Sequence, residues 1–213
     1  MTETLTPALL LHTYSVGVFP MSEGRSDPDI FWVDPKRRGI IPLNGFRIAR
    51  SLARTIRRAR MTVSFDTDFA GVVALCADRP ETWINATIFD LYVQLHRMGH
   101  AHAVEVRHDG ALVGGVYGVV IGAAFFGESM FSRRTDASKL ALAYLIDRLR
   151  IGGFTLFDTQ FLTPHLARLG GIEIPRADYR RQLAAAILKP AEFNRQGSVP
   201  TPQGVIQRNT QTS

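Results

Sequence analysis

The sequence predicts a domain of mixed α and β structure built around one sheet, with a small N-terminal lobe. Segments with the apolar spacing of helices and segments with the alternation of strands follow one another, separated by glycine and proline. Of the 213 residues, 46% are hydrophobic and 21% are charged, which is typical of a globular protein. The length fits one domain with a small appendage.

The first segments form the predicted N-terminal lobe. Thr6 followed by Pro7 provides a capping hydroxyl and a proline at the first helical position, so a helix is expected to begin here and to end near Ser15. The next stretch is rich in proline, glycine and aspartate, which predicts loops with short strands at 31–33 and 39–41.

Helices and strands alternate through the rest of the chain. An arginine-rich helix is expected over 46–60, and the Asp109–Gly110 pair predicts a hairpin turn. Further helices are expected over 69–76, 84–98, 136–150, 163–170 and 176–188. Strands are expected over 61–65, 100–107, 111–120, 123–126 and 154–158. From Pro190 onward the chain is polar, and a mobile tail is expected.

The positive charge of the chain is concentrated in one segment. The formal net charge is +6, yet residues 36–60 contain only basic charged residues and the remainder is mildly acidic. Within this segment, five arginines spaced by three or four follow one side of the expected helix: Arg47, Arg50, Arg54, Arg57 and Arg58. Such a row is either a surface for phosphate groups or a solvated face that aids solubility.

Three polar side chains follow predicted strands and could act on a ligand. Glu128 stands beside Gly127 at the end of an apolar strand, where it could pair with an arginine or bind an ammonium group. Asp158 and Gln160 share one face of an extended segment at the carboxyl end of another strand, the usual ligand edge of an open sheet. They could orient an attacking amine, or serve as a turn cap and an ordinary surface amide.

Several classes of function are excluded or disfavoured. The single cysteine, Cys76, can form neither an internal disulfide nor a cysteine-based zinc site. His100, His102 and Glu105 do not share one strand face, so they are interpreted as structural and no metal is expected. The chain contains no phosphate-loop or nucleophile-elbow motif, and no glycine-rich turn that could hold coenzyme A. No apolar run is long enough for a membrane span, and no basic signal region is visible, so the cytoplasm is the expected compartment.

The motifs taken together closely resemble the leucyl/phenylalanyl-tRNA–protein transferase family. The resemblance runs from about residue 8 to 188. It is carried by YSVGVFP at 14–20, FWVDP at 31–35, TWI at 82–84, GHAHAVE at 99–105, LVGGVYG at 112–118, FGESMFS at 126–132, ASK at 137–139, DTQ at 158–160 and EIPR at 173–176.

The resemblance implies a fold and a reaction. The fold would be α+β, with a small N-terminal domain over 1–43, an acetyltransferase-like (GNAT) catalytic domain with a mainly antiparallel sheet over 44–190, and a flexible tail over 191–213. The enzyme would move leucine or phenylalanine, with methionine as a further candidate, from aminoacyl-tRNA to the α-amine of proteins that begin with arginine or lysine. It would mark them for N-end rule degradation and work as a monomer without cofactor or metal.

The resemblance also implies roles for individual residues. Asp158 and Gln160 would place and deprotonate the attacking amine, and Glu128 would hold the ammonium group of the donor amino acid. Trp32 and Trp83 would flank the terminal adenosine of the tRNA, and the arginine helix would bind acceptor-stem phosphates. The apolar pocket for the donor side chain would be lined by Val116, Phe125, Leu145, Leu149 and Phe157.

The chain departs from the common family pattern at Phe126, Thr159 and Thr163, which are expected at the pocket wall and near Asp158. Two other functions are compatible with part of the same sequence. An acyl-coenzyme A N-acyltransferase on the same fold is disfavoured by the missing pyrophosphate turn. A non-catalytic RNA-binding module explains the arginines and tryptophans but gives no task to Glu128 and Asp158.

Overall fold

The computed structural model describes residues 5–210 of the chain. Its helices are α1 (Pro7–Ser15), α2 (Arg50–Arg58), α3 (Phe69–Ala77), α4 (Ala86–Arg97), α5 (Ala137–Ile151), α6 (Pro164–Arg168), α7 (Arg176–Ile187) and α8 (Pro202–Thr210). Its strands are β1 (Phe19–Met21), β2 (Phe31–Val33), β3 (Arg37–Ile40), β4 (Thr62–Phe65), β5 (Ala101–His108), β6 (Ala111–Ile121), β7 (Ala124–Ser132), β8 (Leu156–Gln160) and β9 (Ile172–Pro175).

Seven strands form one sheet in the order β4-β5-β6-β7-β8-β3-β9. Neighbouring strands are antiparallel except β7 and β8, which are parallel. Buried side chains cover both faces. Helices α1, α3, α4 and α7 pack on one face, and α2, α5, α6 and α8 pack on the other. The α+β class with a mainly antiparallel sheet flanked by helices is therefore confirmed.

The N-terminal region is small, as the sequence predicts. Helix α1 is capped by Thr6, whose side chain accepts from the Leu9 N–H, and β1 pairs with β2 in a separate two-stranded sheet. Strand β3 lies inside the main sheet between β8 and β9, although the predicted domain boundary at residue 43 assigns it to the N-terminal domain. The domain boundaries themselves stay a prediction.

The C-terminal segment differs from the mobile tail that the sequence predicts. Residues 202–210 form helix α8, which packs against α5 and α2. Val205 is fully buried. Arg208 forms a bidentate ion pair with the buried carboxylate of Asp147, in which Nε donates to Oδ1 at 2.6 Å and Nη2 donates to Oδ2 at 2.8 Å. The segment orders because it buries apolar surface and supplies the cation that a buried carboxylate requires.

The centre of the sheet opens between β7 and β8. The two strands pair over Ala124–Phe126 and Leu156–Asp158 only. Beyond this point the ladder of β6 and β7 shifts register next to Gly118, which is a bulge that bends β7. The gap that results lies beyond the carboxyl end of the parallel pairing of β7 with β8, the side on which open sheets usually bind ligands.

None of the helices within residues 5–210 has the length and apolar character needed to cross a bilayer.

Candidate active site

A cavity of about 290 Å³ fills the gap between β7 and β8. Apolar side chains form much of its wall, and polar groups from β7, β8 and the following turn join them. The apolar residues are Val116, Met130, Leu142, Phe157, Phe161 and Leu166. The other lining residues are Arg79, Trp83, Gly127, Glu128, Ser129, Thr159, Gln160 and Thr163. An apolar cavity with a few polar groups is the usual form of a small-ligand site.

Glu128 is a buried carboxylate in this cavity. The Tyr92 hydroxyl donates to its Oε2 at 2.8 Å, and the Tyr14 hydroxyl lies 2.8 Å from that of Tyr92. Within residues 5–210, Oε1 has no hydrogen-bond partner and no cation lies within ion-pair distance of the carboxylate. Burial raises the pKa of Glu128 from 4.5 to about 7, although the hydrogen bonds from the tyrosines and Gln160 act the other way. This carboxylate is therefore ready to accept a positive group.

Gln160 completes the polar end of the cavity. Its Nε2 donates to Glu128 Oε2 at 3.0 Å, so the amide oxygen remains able to accept. Its backbone is left-handed, with φ at +62°, a conformation that non-glycine residues rarely adopt outside sites that hold them in place. This turn of the backbone brings the Gln160 side chain into the cavity, whereas Asp158, expected on the same face, stays in the core.

Asp158 is fully buried and does not line the cavity. Arg38 donates to both of its oxygens, at 2.9 and 2.6 Å, and the Tyr179 hydroxyl donates to Oδ2 at 2.7 Å. The remaining bond comes from the backbone N–H of Gln160 to Oδ1, at 2.8 Å. Asp158 therefore fixes the strained backbone from which the Gln160 side chain extends.

Arg38, which the sequence places only in the basic segment, is the buried partner of Asp158. Its guanidinium lies 4.6 Å from the Phe19 ring centre and 4.5 Å from that of Tyr179, and it is nearly inaccessible to solvent. Burial alone would lower the pKa of Arg38, but the Asp158 carboxylate outweighs burial and raises it. Strand β3 thus supplies the positive charge that pairs with the Asp158 carboxylate inside the core.

We expect Gly39→Ala to disturb the packing of β3 against the backbone that follows Gln160. A Cβ at position 39 would lie 2.5 Å from the carbonyl carbon of Phe161 and 2.7 Å from the Leu162 nitrogen, both backbone atoms directly after Gln160. Such overpacking costs about 1–3 kcal/mol of folding free energy and would move Gln160. Denaturant unfolding tests this expectation. Gly24→Ala is the matched control, because a Cβ there has no neighbour within 4 Å among the described residues. Equal behaviour of the two variants would contradict the expectation.

The residues expected in the donor pocket, and the two tryptophans expected at the terminal adenosine, are only partly together. Val116, Phe157 and Trp83 line the cavity. Phe125, Leu145 and Leu149 do not line it and lie fully buried in the core on the α5 side of the sheet, where the Phe125 and Phe157 rings meet edge to face at 5.5 Å. Trp32 lies on β2 with 40% of its surface exposed and does not line the cavity.

The three departures from the family pattern occupy different places. Phe126 is not at the pocket wall. It packs in the core on the other face of β7, with its ring centre 5.0 Å from that of Tyr14. Thr159 and Thr163 do line the cavity, and the Thr163 hydroxyl caps α6 by accepting from the Leu166 N–H at 3.2 Å. Of the three, Thr159 and Thr163 can therefore touch a ligand.

The predicted arginine surface divides into two parts. Arg50, Arg54, Arg57 and Arg58 are exposed and line a surface cavity of about 540 Å³. Arg47 precedes α2 and lines a different cavity. None of the five forms an ion pair with a carboxylate in the described part of the chain.

His102 and Glu105 bond to protein groups. His102 Nδ1 lies 2.7 Å from Asp66 Oδ2, and Glu105 accepts bonds from Ser64 and Thr67. Among residues 5–210, no group of three metal-ligating side chains is found.

Comparison with known proteins identifies the family. The family model described as leucyl/phenylalanyl-tRNA protein transferase matches residues 40–184, and a model of the N-terminal domain of that transferase matches residues 3–36. The chain belongs to the leucyl/phenylalanyl-tRNA–protein transferase family. A leucyl/phenylalanyl-tRNA–protein transferase of Cereibacter sphaeroides is 68% identical over 209 residues, covering 98% of each chain. One from Ruegeria pomeroyi is 65% identical over 212 residues, covering 99% of this chain and all of the relative. The family resemblance seen in the sequence motifs is thus confirmed.

A solved structure supports the fold of this family member. The crystal structure of FemX superposes with a TM-score of 0.54 at 13% identity, over 78% of this chain and 66% of that one. This likeness concerns the fold alone.

Proposed function

We propose that this chain transfers leucine or phenylalanine from aminoacyl-tRNA to the α-amine of proteins that begin with arginine or lysine. Transfer would mark these proteins for N-end rule degradation in the cytoplasm, and methionine is a further candidate donor. The observation that carries the proposal is an apolar cavity that ends at the unbalanced carboxylate of Glu128. An amino acid with an apolar side chain and a free ammonium group fits both features.

The donor would bind through these two features. The leucyl or phenylalanyl side chain occupies the apolar wall formed by Val116, Leu142 and Phe157. The donor ammonium group pairs with Glu128, whose Oε1 has no other partner among the described residues. Trp83 lines the same cavity, where its ring can stack on the terminal adenine.

Gln160 would position the attacking amine. Its Nε2 is committed to Glu128, so its amide oxygen can accept an N–H of the incoming neutral α-amine. The amine nitrogen attacks the ester carbonyl carbon, a C–N bond forms, and the C–O bond to the ribose breaks. The amine gives up one proton and the leaving ribose oxygen takes one, so the ester itself supplies the driving force and no further reactant is consumed. Holding the two reactants together accounts for most of the acceleration.

Asp158 would be a positioning residue in this reaction. Both of its oxygens are engaged by Arg38, Tyr179 and the Gln160 backbone, and it does not reach the cavity. Its contribution is to hold Gln160 in the conformation that presents the amide oxygen to the amine.

The arginines of α2 would hold the tRNA, and salt dependence tests this. We expect Arg54→Gln to weaken aminoacyl-tRNA binding and to lower the slope of log Kd against log salt by about 1, because one phosphate contact is lost. Arg97→Gln is the control, since Arg97 is also exposed and lies outside the described cavities. Binding is measured by filter retention over a range of salt. Identical slopes for the two variants would show that this side of α2 is only a solvated face.

The reaction is tested with purified protein and defined substrates. Phe-tRNA and, separately, Leu-tRNA are mixed with peptides that differ only in beginning with arginine, lysine or aspartate, and mass spectrometry detects the products. We expect addition to the arginine and lysine peptides alone. Binding of tRNA without addition to any peptide would favour an RNA-binding module, and coenzyme A binding in a titration would favour the N-acyltransferase.

A further inference from the structure

A second basic cavity lies beside the proposed active site. It has a volume of about 440 Å³ and lies between the start of α2, the start of α5 and helix α6. Its four basic residues come from different parts of the chain, and none of its lining residues is acidic. The lining residues are Arg47, Ile48, Ala49, Ser51, Leu52, Lys139, His165, Arg168 and Leu169.

The positive charge in this cavity is only partly balanced. Lys139 pairs with Asp136 at 2.8 Å, but Arg47 and Arg168 form no ion pair within residues 5–210. The His165 Nε2 is buried and has no hydrogen-bond partner in the same part of the chain. Burial lowers the pKa of His165, and the charges of Lys139 and Arg168 lower it further. These groups would all be better satisfied by an anion.

The backbone at the start of α2 also favours an anion in this cavity. Ala49, at the N-cap of α2, provides no side-chain hydrogen bond, and the first turn of α2 has no acidic residue. Ala49, Ser51 and Leu52 line the cavity, so the positive end of the helix dipole lies against it. The converging basic side chains carry the inference, and the helix end reinforces it.

The position of the cavity links the two parts of the proposed donor site. Helix α6 contributes Leu166 to the apolar cavity and Arg168 to the basic one, and α5 contributes Leu142 and Lys139 in the same way. On its other side, the basic cavity shares Ile48 with the arginine-lined cavity of α2. A strand of RNA that leads from the aminoacyl group to the arginines of α2 can therefore pass over it.

We propose that this cavity binds a backbone phosphate of the single-stranded 3′ end of the tRNA donor, between the aminoacylated adenosine and the acceptor stem. Arg47 and Arg168 donate to the phosphate oxygens, and His165 lies beside them. This inference rests on the proposed function. It separates Arg47 from the arginines of α2, with which its sequence spacing had grouped it, and assigns it to a different segment of the same RNA.

The test uses donor fragments that differ in their phosphates. Amide-linked phenylalanyl-adenosine has no phosphodiester, whereas the amide-linked phenylalanyl trinucleotide of the 3′ end has the backbone phosphates but no stem. Neither fragment reacts, so binding is read separately from transfer. We expect the double variant Arg47→Gln/Arg168→Gln to lower the preference for the trinucleotide over the adenosine by about tenfold or more, since two charged contacts are lost.

Two matched comparisons make the result specific. The control Arg97→Gln/Arg181→Gln removes the same charge at exposed sites that do not line the described cavities, and it should keep the wild-type preference. Arg54→Gln should weaken binding of the whole tRNA and leave the preference between the two fragments as in the wild type.

Each contrary result has a distinct meaning. A wild-type preference in the Arg47→Gln/Arg168→Gln variant would overturn the inference even if transfer activity is present. Binding of millimolar inorganic phosphate that depends on Arg47 and Arg168 but does not reduce trinucleotide binding would reassign the cavity to a free anion and likewise overturn the inference. Failure of the proposed function would show instead as absence of transfer from intact Phe-tRNA by the wild type.

Discussion

Asp158→Asn is expected to lower kcat by about 100-fold or more while leaving the KM for aminoacyl-tRNA within about twofold. The asparagine NH2 would face a donor of Arg38 in either orientation, together with the Gln160 N–H at the Oδ1 position or with the Tyr179 hydroxyl at the Oδ2 position. The bonds that hold position 158 under the left-handed backbone of Gln160 then cannot all form. A misplacement of the attacking amine by about 1 Å costs on the order of 10²-fold in rate. The substitution also leaves Arg38 buried without its charge partner, which lowers the free energy of unfolding by about 3–5 kcal/mol.

A second variant separates the positioning role from stability. Replacing both partners, Arg38→Met with Asp158→Leu, removes the unpaired charge and should restore part of the lost stability, because apolar pairs can replace buried ion pairs at little cost. The value of kcat should stay low, because the backbone N–H of Gln160 still lacks the carboxylate that accepts its hydrogen bond. Recovery of kcat together with stability in steady-state assays would contradict the positioning role. A large rise in KM for aminoacyl-tRNA in Asp158→Asn would also contradict it.

Glu128→Gln is expected to make the protein more stable at pH 8 and nearly inactive. The folded state raises the pKa of Glu128 from 4.5 to about 7, so the folded protein binds this proton more tightly than the unfolded chain. Stability therefore falls as pH rises from about 4.5 to 7, and above pH 7 the full cost, on the order of 3 kcal/mol, is present. Glutamine carries no charge and removes this cost, while it keeps the shape needed to accept from Tyr92.

The activity of the same variant should move in the opposite direction. A neutral amide cannot balance the donor ammonium, so kcat/KM should fall by about 100-fold. In the wild type, kcat/KM should decline below pH 7 as Glu128 takes up a proton. The residual kcat/KM of the variant should show no such decline, because glutamine does not titrate. Denaturant unfolding at pH 5 and pH 8, with kinetics over the same range, measures both effects. A variant less stable than the wild type at pH 8, or one of normal activity, would contradict this account of Glu128.

Local chemistry made Glu128 and Gln160 predictable. A carboxylate beside a glycine after an apolar strand, and polar residues at the carboxyl end of another, indicated a ligand edge, and both Glu128 and Gln160 line the cavity. Glu128 nevertheless lies inside β7, which continues to Ser132, and not after its end as the sequence predicts. Helical spacing likewise predicted the charged side of α2, although the helix begins at Arg50 rather than near residue 46. These features are set by neighbours within a few residues, which is the range that patterns report.

Other features depend on distant partners and could not be predicted in this way. Arg38 stands in a basic segment, and its partner Asp158 lies 120 residues away in the chain. Helix α8 is polar in composition, and it orders because Val205 and the Arg208–Asp147 pair find their partners on the rest of the fold. Arg47 follows the spacing of the helix, but α6 and α5 give it different neighbours.

The central claim is that the cavity between β7 and β8 receives the donor amino acid, and a crystal structure with amide-linked phenylalanyl-adenosine tests it most directly. The account predicts that the phenyl ring packs among Val116, Leu142 and Phe157 and that the ammonium lies within hydrogen-bond distance of Glu128. A fully occupied ligand bound elsewhere, with this cavity empty, would contradict the account. An ammonium held by any group other than Glu128 would do so as well.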